Sequence, residues 1–432
     1  CVPRKALIRS SKISHYLRRA ADFGLHAVQP GVDFAAVMQR VRSVIEAVEP
    51  HDSVERYSEL GVDCVQGEAK ITSPYTVAVN GREIKTPNII IATGAGPLVP
   101  PIDGADRIGY LTSDTLWQLE QLPQRLLVVG AGPIGCELAQ SFSRLGSAVT
   151  LLDLAPKIMP WEDEEVSRYM HERLQAEGIG IKVAHRPIVF AESGGEKYLE
   201  AEHQGETVRI TFDQVIIAVG RKANTRGFGL EELGIALTPQ GTIEVNEYLQ
   251  TKYPNIFACG DVAGPYQFTH TASHQAWYAA VNALFGRFRK FKVDYSVIPW
   301  ATFTDPEVAR VGLNEEDARQ QGIEFEVTRY DITDLDRAIA DGENCGFIKV
   351  LTPPGKDRIL GVTIVGYHAA ELIAEYILAM KQGIGLNKIL GTIHIYPTLN
   401  EANKFAAGNW KRAHAPQKLL EYVSRFHALM RG

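Results

Sequence analysis

Residues able to do chemistry gather at three places along the chain. Cys1 stands just before a helical pattern, with Arg4 and Lys5 close behind it. A helix N-terminus and nearby cations both favour a thiolate, so this sulfur is a candidate redox centre. The competing reading is one inert cysteine among five. Towards the other end, His394, Tyr396 and Glu401 lie close together. Such a group can relay protons; equally, Thr398 and Glu401 have the spacing of a capping box. Between these regions, Gly130, Gly132 and Gly135 form G-x-G-x-x-G, with Pro133 and Ile134 inside the motif and Asp153 downstream. The glycines permit a tight turn, close backbone approach to a pyrophosphate, and tight helix–strand packing. The following helix aims its N-terminus at the phosphates. Asp153 is placed to bind ribose hydroxyls and to repel a 2′-phosphate, and only Lys157 offers a cation nearby. The motif therefore predicts NAD(H) in preference to NADP(H).

His270 and His274 have helical spacing but no third ligand, so they read as a polar helix face and no metal is expected. Cys64, Cys136, Cys259 and Cys345 show no C-x-x-C pairing. They are expected to be small buried or half-buried residues.

The elements that must hold these groups are legible from periodicity. Residues 5–20 predict a helix with a basic face, and 32–60 predict another with Val37, Val41, Val44, Ile45 and Val48 on one side. TPNIIIATG (86–94) is an apolar strand ending in glycine. From Leu126 the chain reads strand, glycine turn, helix, strand: a β-turn-α-β unit. A helix over 162–177, polar strands, FDQVIIAVG (212–220) and YPNIFACGD (253–261) follow. Beyond 296, antiparallel-looking strands alternate with helices, as in an α+β domain. TPNIIIATG and FDQVIIAVG echo each other as closing strands of nucleotide-binding folds. Only the second has an upstream glycine turn, so a second dinucleotide-binding half is expected before Cys1.

With 432 residues the chain has the length of about three domains. Hydrophobic residues at 45% and charged residues at 22% exclude a disordered or collagen-like chain. A net charge of −6 gives no footprint for nucleic acid or an anionic membrane. No apolar run is long enough for a membrane span. Sparse, odd-numbered cysteines point to a reducing, cytoplasmic setting.

Taken together, CVPRK, the ATG-ending strand, GxGxxGxE, VGRxxNT, the A-x-G-D segment and the C-terminal HxxPTxxE, in that order, resemble the pyridine nucleotide–disulfide oxidoreductases. FTDPEVARVGL and GFIK look most like the mercuric reductase branch. The resemblance implies FAD and NAD(P)H in two domains of similar fold, the first incomplete here, plus a C-terminal α+β dimerisation domain. The implied boundaries are 1–111 and 241–296 for the FAD domain, 112–240 for the NAD domain and 297–432 for the interface domain. Electrons would pass from nicotinamide to flavin to a cysteine pair and on to an acceptor: a small disulfide, a metal ion or a quinone. Cys1 matches the cysteine that touches the flavin. Lys5 would sit by the flavin and pair with Glu137. Asp261 would bind the ribityl chain, while Gly67, Glu68, Ala69, Thr93 and Gly94 would line FAD. Gly220 and Arg221 would lie near the nicotinamide nucleotide, Gln267 and His270 would follow the flavin ring, and Glu401 would orient the acid/base residue.

The chain departs from the pattern in three ways. Tyr396 stands where thiol reductases carry His, the chain lacks a C-terminal cysteine pair, and the flavin-side glycine motif and the first cysteine would lie upstream of Cys1. The leading expectation is an NADH-using, mercuric reductase-like homodimer. The alternatives are dihydrolipoamide oxidation and a catalytically incomplete binding or regulatory dimer.

Overall fold

The computed structural model describes residues 1–29 and 31–431. They form two compact units. The first comprises 1–18, 27–158 and 174–295; the second comprises 19–26, 159–173 and the chain from Ser296 onward.

The first unit opens with α1 (Val2–Arg18), whose Pro3 occupies the first turn, where a missing N–H leaves no bond unmade. Next comes α2 (Phe34–Val48), capped by Asp33, whose side chain accepts from the Ala36 N–H. Periodicity predicts one helix over 32–60. Instead α2 stops at Val48, a 3₁₀ turn runs over Glu49–Asp52 around Pro50, and a short helix covers Val54–Glu59. Proline cannot continue an α-helical ladder, and the apolar pattern alone did not register it. Leu7, Met38 and Val41 are fully buried, and the Phe34 ring lies 5.9 Å from Phe142.

The strands β1 (Ala69–Ser73), β2 (Thr76–Val79) and β3 (Arg82–Lys85) form an antiparallel meander. β4 (Ile89–Ile91) and β5 (Ala95–Pro97) follow. Then β6 (Arg125–Val129), α3 (Pro133–Leu145) and β7 (Ala148–Leu152) realise the β-turn-α-β unit. After α4 (Glu164–Ala176), most of which belongs to the second unit, come β8 (Gly180–Lys182), the meander β9 (Arg186–Ser193), β10 (Glu196–His203) and β11 (Glu206–Phe212), and β12 (Gln214–Ile217). The parallel sheet has the order β12-β6-β7-β8, so FDQVIIAVG closes against the strand that launches the glycine turn. This order reverses direction at β6, the switch point where open α/β sheets bind ligands. β13 (Arg221–Ala223) pairs antiparallel with β5, and β14 (Ile256–Ala258) pairs parallel with β4, joining two of the glycine-ended strands read from the sequence. α5 (Thr269–Phe285) completes the unit.

In the second unit β15 (Pro299–Thr302), β16 (Glu307–Gly312), β17 (Glu326–Asp331), β18 (Phe347–Thr352) and β19 (Gly361–Gly366) form an antiparallel sheet of order β15-β16-β19-β18-β17. Every residue of β18 and β19 is buried, as expected of central strands covered on both faces. α6 (Ala374–Lys381), α7 (Glu401–Ala413) and α8 (Gln417–Met430) follow. Tyr376 of α6 and Trp410 of α7 join the core of this α+β unit. Lys349 of GFIK is also buried within it, bonded to Asp163 at 2.5 Å and Glu315 at 2.9 Å.

Candidate active site

The N-terminus of α1 carries the first cluster. Cys1 is exposed, and its Sγ lies 3.4 Å from the Thr269 hydroxyl at the start of α5. Four residues on, Lys5 Nζ meets Glu137 Oε2 at 2.9 Å. Glu137 sits in the first turns of α3 with only 2% of its side chain exposed. The same oxygen takes Arg4 Nε at 2.8 Å, a partner the sequence did not reveal. One buried carboxylate thus locks α1 to the glycine-turn helix through two cations.

Behind this lies the Cys259–Gly264 loop. Arg221 Nε reaches Asp261 at 3.2 Å and its Nη2 donates to the Ala95 carbonyl, so the AVGR and ACGD segments are tied together. Gln267 Nε2 donates to the Asp261 carbonyl at 3.4 Å. The loop is braced by Gln275, a fully buried residue missed in the sequence. Its side chain accepts from Gly260 N at 2.6 Å and donates to Gly264 O and to the Tyr295 hydroxyl. Thr93 and Asn224 exchange side-chain-to-carbonyl bonds of 2.8 and 2.9 Å, and Asn224 N bonds Gly94 O. The Asn of VGRxxNT was the available signal for this contact. His270 is exposed, its ring stacked on Phe268. Gly67, Glu68 and Ala69 lead into β1 at exposed positions, and among the described residues no hydrogen bond ties them to Cys1, Lys5 or Asp261. Cys136 and Cys259 are buried and Cys345 is half-buried as expected, whereas Cys64 is exposed. Burial pushes the Cys259 and Cys345 thiols up from their ordinary pKa.

The glycine turn is a backbone cradle. A Cβ at Gly130 would stand 2.4 Å from the Ala218 carbonyl, and one at Gly135 would stand 1.7 Å from the Gly130 carbonyl. Side chains are excluded at both positions, and α3 therefore packs against its strand at glycine distance. At Gly132 the space is open, which suits an approaching diphosphate at the helix N-terminus. Asp153, at the end of β7, accepts the Ala131 and Ala155 amides, one on each oxygen. A carboxylate has about four lone-pair sites, so capacity for hydroxyl donors remains. Pro133 and Ile134 begin α3, and Gly220 follows β12.

The C-terminal cluster is arranged differently from the relay read in the sequence. His394 Nε2 lies 2.9 Å from Glu375 Oε1, while its Nδ1 faces the Thr392 carbonyl. Glu375 is held in turn by Asn403 and Asn400. The Tyr396 hydroxyl donates to Asp336 at 3.0 Å; this bond and the aspartate charge hold its pKa above the ordinary tyrosine value. Glu401 is buried and accepts the Thr398 N–H. Among the described residues it bonds neither ring, so no His394–Tyr396–Glu401 relay exists in this structure. The capping box is half closed: the Thr398 hydroxyl turns back to the Ile395 carbonyl instead of capping Glu401. Glu375 and Asp336 lie 19 and 60 residues from the rings they hold, which is why spacing suggested partners within the segment.

The family model "Pyridine nucleotide-disulphide oxidoreductase" matches residues 1–276, and the dimerisation-domain model of the same family matches 298–407. The chain belongs to this family. It is a mixed α/β oxidoreductase of the flavoprotein disulfide reductase kind, whose cofactors are FAD and NAD(P)H, and residues 298–407 are a dimerisation domain. Among its relatives, a dihydrolipoyl dehydrogenase of Chlamydia muridarum is 33% identical over 416 residues, covering 93% of this chain and 86% of the relative. A mercuric reductase of Lysinibacillus sphaericus is 33% identical over 407 residues, covering 94% and 74%. The fold is similar to that of the HOCl-induced flavoprotein disulfide reductase RclA from Escherichia coli, with a TM-score of 0.83 and 26% identity over 94% of this chain and 89% of that one. Among the described residues no helix is long and apolar enough to cross a membrane.

Proposed function

We propose that this family member is a cytoplasmic homodimer that takes electrons from NADH through FAD and a redox cysteine to a soft acceptor, as a mercuric reductase-like enzyme does. The observation that carries the choice of acceptor is Tyr396. Its hydroxyl donates to Asp336, and this bond holds its pKa above the ordinary tyrosine value, so the residue before Pro397 stays protonated and is not a general base at neutral pH. A dithiol substrate needs a base there, whereas reduction of a metal ion or a quinone requires none. A second reading, dihydrolipoamide oxidation, rests on the His394–Glu375 pair, which would supply a substitute base.

When bound, the nicotinamide supplies a hydride and the flavin relays its electrons to thiol chemistry. The chain's own residues would act as follows. Gly130, Gly132 and Gly135 open a phosphate cradle, and Asp153 would accept the adenosine ribose hydroxyls. Glu137 holds Lys5 and Arg4 beneath the start of α1, fixing the height of the Cys1 sulfur. Asp261 and Gln267 would face the flavin's ribityl side, with Gln275 keeping their loop rigid.

An acceptor panel of lipoamide, glutathione disulfide, mercuric ion and quinone tests the reading. Poor lipoamide turnover is expected, rising in Tyr396→His. Robust wild-type lipoamide turnover, indifferent to Tyr396→Phe, would overturn it in favour of the second reading.

Nucleotide choice provides a separate test. Replacing Asp153 by Ala removes a charge-assisted hydrogen bond worth roughly 1.5–3 kcal/mol and should lower the NADH:NADPH ratio of kcat/KM about tenfold or more. Because Asp153 also holds the Ala131 and Ala155 amides, both nucleotides will lose some turnover; the ratio isolates the ribose contact. A wild-type preference for NADPH would refute the assignment.

A further inference from the structure

The net charge of −6 conceals an oppositely charged C-terminal segment. Between Lys411 and Arg431 the cations are Lys411, Arg412, Lys418, Arg425 and Arg431, against the single carboxylate of Glu421. Most of this stretch is α8, fourteen residues with none buried. Leu419, Tyr422, Val423, Phe426 and Met430 recur at helical spacing and share one stripe about 100° wide. All five are exposed, from 39% at Val423 to 71% at Met430, so their own unit leaves most of this stripe uncovered. Among the described residues Lys418, Arg425 and Arg431 make no ion pair, leaving their charge available to an external partner. The dimerisation-domain match ends at residue 407, before α8 begins.

We propose that α8 is an interfacial anchor that lies in the surface of an anionic phospholipid membrane. An amphipathic helix with aliphatic and aromatic residues on one side and a cationic polar face binds in the plane of such a surface. At fourteen residues α8 is too short to cross a hydrocarbon core of ~30 Å, so it can only lie along it. Charge complementarity selects this occupant over a second copy. A twofold contact of α8 with itself would bring the cations of two 411–431 segments together with one carboxylate each to offset them, whereas the cytoplasmic leaflet offers a negative surface potential that attracts each basic residue. The anchor would hold the enzyme near membrane-dissolved acceptors and is independent of which acceptor it uses.

The test is co-sedimentation of the full-length chain with phosphatidylcholine vesicles, with and without phosphatidylserine. The protein should pellet only with the phosphatidylserine-containing vesicles and be released by high salt. Val423→Glu with Phe426→Glu should abolish pelleting. Lys418→Gln with Arg425→Gln should weaken partitioning about tenfold or more. Circular dichroism and light scattering accompany each variant, since α8 contributes nothing to the core and neither pair should alter fold or dimer mass. Failure to pellet with anionic vesicles overturns the proposal, as does undiminished pelleting of the Val423→Glu/Phe426→Glu protein. Conversion of that variant to a monomer would also overturn it, assigning the stripe to a second copy.

Discussion

Replacing Lys349 by Met is expected to destabilise the second unit by about 3 kcal/mol, the lower end of the range for breaking a buried ion pair from one side. Lys349 is 1% exposed, in the middle of a fully buried strand. Its ammonium is bonded to Asp163 at 2.5 Å and Glu315 at 2.9 Å, with Glu165 at 3.5 Å. Burial alone would push its pKa down; the hydrogen bonds and charges of Asp163 and Glu315 outweigh this and hold it above the ordinary lysine value. The methionine would fill most of the stem's volume, so the loss is chiefly electrostatic: the Asp163 carboxylate stays buried with no cation. Two backbone amides, Glu315 N and Glu316 N, still serve that carboxylate, which is why the lower figure applies. The measurement is the urea midpoint read from tryptophan fluorescence, since Trp300 and Trp410 lie in this unit. Adding Asp163→Asn to Lys349→Met should recover part of the loss by neutralising the orphaned charge. If the double variant is no more stable than the single, the pairing is not what stabilises the strand. The pH dependence has a defined sign. A folded-state pKa raised above the unfolded one gives stability that is complete below the unfolded pKa and is lost as pH rises through the folded one. The gap between wild type and Lys349→Met should therefore close only at strongly alkaline pH.

Glu137→Gln should have a comparable effect on the first unit and a larger one on turnover. The carboxylate is 2% exposed and is shared by Arg4 and Lys5, whose side chains are 16% and 31% exposed. Removing its charge leaves two cations facing a neutral amide. Because both retain some access to water, about 2–3 kcal/mol is expected in place of the full cost of a wholly buried pair. The functional consequence follows from position. Glu137 belongs to the helix that begins at the glycine turn, and Lys5 belongs to the helix that begins just after Cys1. A neutral residue here loosens the registry between the thiol and the proposed nucleotide cradle. Stopped-flow reduction of the bound flavin by NADH should slow by about tenfold or more, the scale associated with small misplacements of reacting groups. Unchanged reduction rates with a lowered midpoint would make the triad structural only. Unchanged values of both would remove it from the account.

The sequence by itself determined the parts whose logic is contiguous. The β6-turn-α3-β7 unit was readable because its strand, its glycines, its helix and Asp153 follow one another within a single stretch, and local sterics dictate what each glycine does. The α+β texture after 296 was readable from strand and helix periods. The Lys5–Glu137 pair came only through the family resemblance, since nothing local joins residues that far apart. Tertiary structure alone decided the remaining partners. Arg4 joins Glu137 because α1 lies across α3. Gln275 reaches the Cys259–Gly264 loop because α5 packs beneath it. His394 and Tyr396 turn to Glu375 and Asp336 and not to Glu401. In each case a side chain chooses among acceptors brought close by packing, and sequence separation carries no information about that proximity. The exposed stripe of α8 was not read from the sequence: whether an amphipathic face is covered depends on packing, and among the described residues none of α8 is buried.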